Sequence, residues 1–242
     1  MIRQVKIWVR SLLDNQVARE KWVAHNLALL PAGAQILDAG CGSQQYRKYC
    51  RHLDYVSQDF SQFDVDEKAS MTGRTDKYVY GKIDLVSDIW KIPAPDASFD
   101  AILCTEVFEH IPFPNETVQE FSRLLRPGGT LLLTAPFACL RHMDPYFHYT
   151  GFSDRWYAFM LPRHGFEIVT LETVGDYYSW IMVETVRSWR QSRGLGRLLS
   201  GTLLFPAFLF YYAKSRKPTQ AAQDSLCMGY HVVARRRAEG SG

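Results

Sequence analysis

The stretch Ile36-Leu37-Asp38-Ala39-Gly40-Cys41-Gly42 decides how the rest of the chain is read. Gln35 to Leu37 reads as a buried strand running into a glycine turn, and a helix is expected from about Gln44. Gly40 and Gly42 let the backbone approach a ligand closely, because no Cβ stands in the way and positive φ costs little. The N-terminus of the expected helix offers unpaired N–H groups to a polar or anionic ligand. Asp38, at the carboxyl end of the strand, adds a fixed negative charge where open α/β sheets place their ligands. The implied ligand is nucleotide-like. A dinucleotide fingerprint would put a third glycine three positions past Gly42, where Gln45 stands, which argues against a nicotinamide or flavin site.

Outward from this turn, the next strand is short, Leu53 to Ser57, and ends in Gln58-Asp59-Phe60. An acidic residue about 20 positions past a glycine turn stands where a ribose diol needs a paired acceptor. One carboxylate can accept from both hydroxyls, so Asp59 is the candidate, against the plainer reading of a turn or cap residue. Strand three is expected at Ile83 to Val86, followed by Asp88-Ile89-Trp90. Strand four is expected at Ser98 to Cys104, running into Thr105-Glu106-Val107-Phe108-Glu109-His110. Asn115 to Leu125 reads as an amphipathic helix with Val118, Phe121, Leu124 and Leu125 on one face. Arg126-Pro127-Gly128-Gly129 then reverses the chain into strand five, Thr130 to Ala135.

Composition sets bounds on this reading. A chain of 242 residues fits one α/β domain with appendages. A hydrophobic share of 47% supports a core, and a net charge of +3 does not call for nucleic acid. Cys41, Cys50, Cys104, Cys139 and Cys227 form no Cys-x-x-Cys pair and read as reduced cytosolic thiols. Met1 to Ala18 mixes Arg3, Lys6, Arg10 and Asp14 through its apolar residues, unlike a signal peptide. The expected location is therefore cytoplasmic.

The acidic residue followed by Gly-x-Gly after strand one resembles the first motif of class I S-adenosylmethionine-dependent methyltransferases. The segments Ser98 to Cys104, Thr105 to Ile111 and Leu125-Arg126-Pro127-Gly128-Gly129 resemble that family too. The resemblance runs from about Ile36 to Pro136. It implies an α/β fold of the class I methyltransferase, Rossmann-like type: a seven-stranded, mostly parallel sheet with helices on both faces and an antiparallel strand seven. It implies S-adenosylmethionine as cofactor. Asp59 and Phe60 would hold the ribose, Asp88 and the Ile89 N–H the adenine, and Asp38, Gly40, Cys41 and Gly42 the methionine end. Asp84 competes with Asp88 but falls inside the strand. Thr105 and Glu106 would line the cleft. His110 has two readings, a structural histidine or a cleft residue over the sulfonium.

The loop after strand five, Phe137 to Thr150, concentrates His142, Asp144, Tyr146, His148, Tyr149 and Arg141 near the carboxyl ends of the strands. Methyl transfer is an in-line displacement that needs alignment above all, and a hydroxyl nucleophile benefits from a base. His142 and His148 are the candidate bases, with Asp144 as an orienting carboxylate or alternative base. No metal is demanded by the spacing. The loop resembles that of sugar O-methyltransferases of surface-polysaccharide clusters, although the usual Asp and Arg around the Pro-Tyr pair are missing.

Ser153 is expected to cap a helix over Asp154 to Leu161, Gly165 to Val169 to form strand six, and Tyr177 to Trp189 to be helical. Leu198 to Ala213 carries no charge, is flanked by Arg197, Lys214, Arg216 and Lys217, and is interrupted by Pro206. It is short of the roughly 20 residues a span requires. Two readings stand: a buried or homodimer-forming helix pair, or a membrane-surface element with cations facing anionic lipid at the inner face of the membrane. Met228 to Ala234 reads as the last strand. The expected organisation is a helical leader at 1–34, a core at 35–175, an inserted lid, dimer or membrane element at 176–225, the final strand at 226–237 and a tail at 238–242.

The expected activity is methyl transfer from S-adenosylmethionine to a small-molecule or lipid-linked acceptor, a sugar hydroxyl by preference. Quinone or isoprenoid methylation is the competing enzyme reading. A non-catalytic scaffold that binds a partner or membrane is the reading from another class. A nucleic-acid substrate is not expected, for want of an Asn/Asp-Pro-Pro-aromatic motif and a broad basic face.

Overall fold

The computed structural model describes residues 15–63 and 79–238. Residues 1–14 of the expected helical leader, residues 64–78 of the core and residues 239–242 of the expected tail lie outside them.

Seven strands form one sheet: β1 (Gln35–Ala39), β2 (Asp54–Asp59), β3 (Leu85–Val86), β4 (Phe99–Thr105), β5 (Leu125–Pro136), β6 (Phe166–Val174) and β7 (Gly229–Arg236). Their order is β3-β2-β1-β4-β5-β7-β6. All pairings are parallel except those of β7, which runs antiparallel to both β5 and β6. The helices are α1 (Gln16–Ala28), α2 (Pro114–Leu124), α3 (Asp154–Arg163), α4 (Tyr177–Gln191), α5 (Gly194–Ser215) and α6 (Gln220–Ser225).

The central strands are buried on both faces, and successive residues enter different cores. Leu37, Ile102, Leu131 and Leu133 join Phe108, Phe121, Tyr157 and Phe166 on one side. Ile36, Ala101, Leu103 and Leu132 join Trp22, Val23 and Leu27 of α1 on the other. The parallel run of β1, β2 and β4 brings their carboxyl ends to one edge, where β1 and β4 turn outward on either side of a topological switch point.

Three local expectations are corrected. The helix foreseen from Gln44 is absent: Gln44 takes φ 56°, and only a 3-10 turn at Arg47–Tyr49 precedes β2. About ten residues separate Gly42 from β2, and Tyr46 and Cys50 spend them packing into the second core. Among the described residues, no α-helix follows the glycine turn before β2. β3 shortens to two residues because the Asp84 carboxylate, rather than main chain, accepts from the Ser57 N–H (3.0 Å) and Oγ (2.7 Å). Pro206 does not interrupt the late apolar run. α5 continues through it for 22 residues, with none of them buried, although Pro206 has no N–H for the preceding turn.

α4 and α5 form an antiparallel hairpin. Arg197 near the start of α5 lies over Trp189 near the end of α4 (4.6 Å), and Lys214 at the far end of α5 lies over Tyr178 at the start of α4 (5.9 Å). Asp176 and Ser179 cap α4 reciprocally: the Ser179 N–H donates to Asp176 Oδ1 (2.8 Å), and the Asp176 N–H to Ser179 Oγ (2.6 Å).

Candidate active site

A cleft of about 1530 Å³ opens above the carboxyl ends of β1, β2 and β4, between α1, the loop after β5 and α4. Gly40, Asp59, Phe60, Asp88, Ile89, Thr105, Glu106, His110, His142 and His148 line it, so these candidates from both halves of the sequence share one space. Asp38, Cys41, Gly42 and Asp144 do not belong to that lining.

Asp59 ends β2 and is nearly buried. Its Oδ2 accepts from the Gly42 N–H (2.9 Å) and its Oδ1 from the Ser61 N–H (2.9 Å). Burial raises its pKa, and those backbone donors pull it back down. The Phe60 N–H and the Tyr80 hydroxyl also hydrogen-bond to this carboxylate, so a diol would share its oxygens with these donors. Asp88 stands exposed on the same cleft beside buried Ile89, and Trp90 packs edge-on against Phe113 at 5.2 Å. Asp84 is spent on Ser57, which removes it as a competitor.

The glycine turn is built differently from the sequence expectation. A Cβ on Gly40, whose φ is 69°, would stand 2.6 Å from Cγ2 and 2.9 Å from Cγ1 of Val107, so Val107 rather than a ligand demands the glycine. Gly42 serves the site through Asp59. Cys41 is buried, and burial raises its thiol pKa. Asp38 is corrected as a direct ligand. It lies under the turn, accepts from the Tyr55 hydroxyl at 2.6 Å, and burial pushes its pKa up to about 7.

Two residues passed over in the sequence hold this half together. Gln58 is 1% exposed; its Oε1 accepts from the Gly40 N–H (3.1 Å) and its Nε2 donates to the Ser87 carbonyl (2.7 Å), tying the β1 turn to the β3 turn. Arg19 of α1 pairs with Glu106 at 2.9 Å, and Glu106 also accepts from Thr134 Oγ1 (2.9 Å). Glu106 takes φ 53°, a left-handed backbone at the end of β4, of the kind that surrounding contacts must hold in place. Only Gln58's position just before Asp59 was a local signal. Arg19 had none, since its partner is far along the chain.

The loop after β5 folds over the cleft. Tyr146 meets Phe60 edge-on at 4.9 Å, and its carbonyl oxygen lies 2.6 Å from His110 Nδ1. His110 and His142 pack ring to ring at 4.6 Å. Asp144 is corrected as an orienting group or base: it is 51% exposed, outside the cleft, and held by Arg141 at 2.8 Å. The carboxylate nearest these histidines is Glu109, 1% exposed, with Oε1 3.6 Å from His110 Nε2 and Oε2 without a hydrogen-bond partner. Burial, then the charge of Glu106, raises the Glu109 pKa.

The fold is of the class I methyltransferase, Rossmann-like type, and the cleft stands above the carboxyl ends of its parallel strands. The residues fit S-adenosylmethionine on the structure's own terms: a buried carboxylate facing the cleft at the end of β2, a second just after β3, and apolar Phe60 and Ile89 beside them. Residues 37–133 match a family model described as a methyltransferase domain. The chain is 34% identical over 114 residues to a ubiquinone biosynthesis O-methyltransferase of Thiobacillus denitrificans, covering 46% of this chain and 47% of that protein. It is 31% identical over 125 residues to a sterol 24-C-methyltransferase of Gibberella zeae, covering 48% and 31%. The chain thus spans about half or less of these relatives. Among solved structures, geranyl diphosphate methyltransferase in complex with S-adenosylmethionine superposes with a TM-score of 0.53 at 16% identity, covering 90% of this chain and 84% of that one. The cyclase SpnF superposes with a TM-score of 0.54 at 22% identity, covering 91% and 80%. A fold shared by a methyltransferase and a cyclase leaves the chemistry to the site.

Proposed function

We propose that this chain transfers the methyl group of S-adenosylmethionine to a hydroxyl of a lipid-linked acceptor at a membrane surface. When bound, the cofactor supplies an electrophilic methyl on a positively charged sulfur. Asp59 accepts from the ribose hydroxyls, Asp88 and the Ile89 N–H address the adenine, and Gly40, Thr105 and Glu106 face the methionine portion. His142 or His148 takes the proton that the acceptor hydroxyl loses as its oxygen gains the methyl, and the Phe137–Thr150 loop keeps water from competing.

The observation that carries the lipid-linked reading is the hairpin. Trp180, Val183 and Arg187 of α4 line the cleft, while α5 turns Leu195, Leu198, Leu199, Leu203, Phe205, Leu209 and Phe210 outward. α5 is long and apolar enough to cross a membrane by length and composition, and is about 33 Å long. No acidic residue stands between Glu184 and Asp224, whereas Arg187, Arg190, Arg193, Arg197, Lys214, Arg216 and Lys217 do. An apolar helix with cationic ends lies stably on an anionic bilayer. One wall of the acceptor cleft would then rest on the lipid, with the protein peripheral to the membrane.

A sugar hydroxyl on a lipid carrier is the first acceptor class. A phenolic quinone precursor is the second, favoured by the ubiquinone biosynthesis relatives. The test incubates purified protein with radiolabelled S-adenosylmethionine and host extract, then partitions lipid from soluble material. Label in the lipid phase is expected, and acid hydrolysis of that fraction separates labelled sugar from labelled quinone. Label in the soluble phase would remove the lipid from the proposal, and α5 would then be a packing or dimer face. Absence of donor binding would overturn the enzyme reading and leave a scaffold.

A further inference from the structure

We propose that Glu109, His110 and His142 bind a divalent first-row transition-metal cation on the acceptor side of the cleft. Their ligand atoms lie within 4.8 Å of one another, and all three residues line the cleft. Two histidines and one carboxylate leave coordination positions open toward the cleft, as in sites where the metal handles a substrate.

The hydrogen bonds set the imidazoles up for this. His110 Nδ1 lies 2.6 Å from the Tyr146 carbonyl oxygen and His142 Nδ1 2.8 Å from the Leu140 carbonyl oxygen. A carbonyl only accepts, so each Nδ1 carries the proton and donates it. In the neutral ring Nε2 is then the basic nitrogen, the arrangement that outer partners impose on metal-ligating histidines.

Glu109 supplies the independent observation. Its Oε2 is buried and unpartnered, and such an atom costs stability unless something satisfies it. A plain ion pair with His110 does not: the 3.6 Å separation is longer than a hydrogen bond, involves Oε1, and leaves Oε2 as it stands. A cation with ligands at roughly 2.1 Å draws such atoms to about 3.4 Å apart, a short closure from the observed spacing. The nitrogen-rich set favours Zn²⁺, Co²⁺, Fe²⁺ or Mn²⁺ over Mg²⁺ or Ca²⁺, which prefer all-oxygen shells. Sequence spacing concealed the site, because His142 comes from a different loop than the adjacent Glu109 and His110.

The open positions would receive the acceptor's hydroxyl oxygen and lower its pKa, and with both His142 nitrogens engaged the proton would pass to His148; this role, unlike the binding site itself, rests on the methyl-transfer reading. The test titrates the full chain, first treated with a chelator and then freed of it, with Zn²⁺, and separately follows visible absorption on adding Co²⁺. Donor affinity is measured on the same samples. About one equivalent should bind, and His142→Ala should weaken binding at least roughly tenfold, since loss of even an outer partner costs that much. Glu109→Gln should do the same, and donor affinity in His142→Ala should stay within about twofold of wild type. Absence of saturable binding, or equal binding by His142→Ala, would overturn the site. Donor binding without metal binding removes this inference alone, whereas loss of donor binding in the unsubstituted chain strikes the methyl-transfer reading instead.

Discussion

The two halves of the cleft are made in different ways. The cofactor half sits on the ends of β1, β2 and β4, and its key carboxylate is fixed by main-chain donors: Asp59 takes the N–H groups of Gly42 and Ser61. The acceptor half hangs on a loop and a helical hairpin outside the parallel core, where His110 meets Tyr146 and His142 by long-range contacts and Glu109 lies beside its neighbour His110. Backbone-fixed geometry leaves a trace in residue order, because a strand, a turn and a carboxylate must follow at set intervals. Geometry assembled from distant side chains leaves little.

The largest effect should fall on the backbone-fixed half. Asp59→Ala removes the diol acceptor and strips the buried Gly42 N–H of its partner. Two charge-assisted hydrogen bonds at about 2 kcal/mol each put the loss near 4 kcal/mol, roughly 10³-fold in donor affinity, as measured by calorimetry. A loss under about tenfold would mean that the ribose is held elsewhere and that this half is less fixed than the hydrogen bonds imply.

Gly40→Ala comes next. It forces a Cβ onto the two Val107 methyls at a φ of 69°, and strain plus overpacking should cost about 3 kcal/mol in urea unfolding. Adding Val107→Ala should return about half of that. No recovery would assign the whole cost to the backbone.

The seam between the halves and α1 is sensitive to acid. His231 on β7 is buried against Trp22 of α1 at 4.9 Å, and burial, with the charge of Arg19, pushes its pKa down to about 4. A depressed histidine is neutral in the folded state, so its contribution is whole above its unfolded value near 6.5 and declines as pH falls toward 4. Between pH 7 and 5 this amounts to about 2 kcal/mol. Asp38, with its pKa raised to about 7, acts with the opposite sign: burying its charge costs stability as pH rises past 3.8. The comparison is therefore between wild type and His231→Gln, in which the Asp38 effect is common to both. The variant should lose that part of the slope in urea midpoints, and an unchanged slope would show that Trp22 and His231 part before the ring titrates.

Legibility followed the same division. The strands were readable because buried β-rich runs alternate with turns and helices, whereas the mostly parallel sheet and the antiparallel β7 followed from the family resemblance. The places of Asp59 and Asp88 on the cleft were readable because Asp59 ends β2 and Asp88 stands just after β3. The helix after Gly42 was wrongly expected, since a glycine turn normally feeds one and nothing local announces that Tyr46 and Cys50 are needed in the core. Gln58 and Arg19 went unnoticed because their roles are defined by Gly40, Ser87 and Glu106 in space. α5 was truncated to its uncharged centre and broken at Pro206, yet the flanking turns at Gly194 to Arg197 and at Lys214 and Ser215 are helical too.

The smallest effect tests the acceptor half at the point where sequence and structure disagree. Asp144 stands two residues from His142 and reads as its natural partner, but the structure turns it to solvent and pairs it with Arg141 at 2.8 Å, the two side chains 51% and 74% exposed. Exposed pairs of this kind are worth between about 0 and 1 kcal/mol. Asp144→Asn should therefore change kcat/KM for labelled methyl transfer by less than about twofold, with the pH profile unmoved. Glu109→Gln, one side chain closer to the histidines, should depress the rate and shift that profile. If Asp144→Asn instead cost tenfold or more, the Phe137–Thr150 loop would have to swing Asp144 into the cleft on binding acceptor. Tyr146 would then have to leave Phe60, and the acceptor half would be assembled by its substrate rather than held ready by its own contacts.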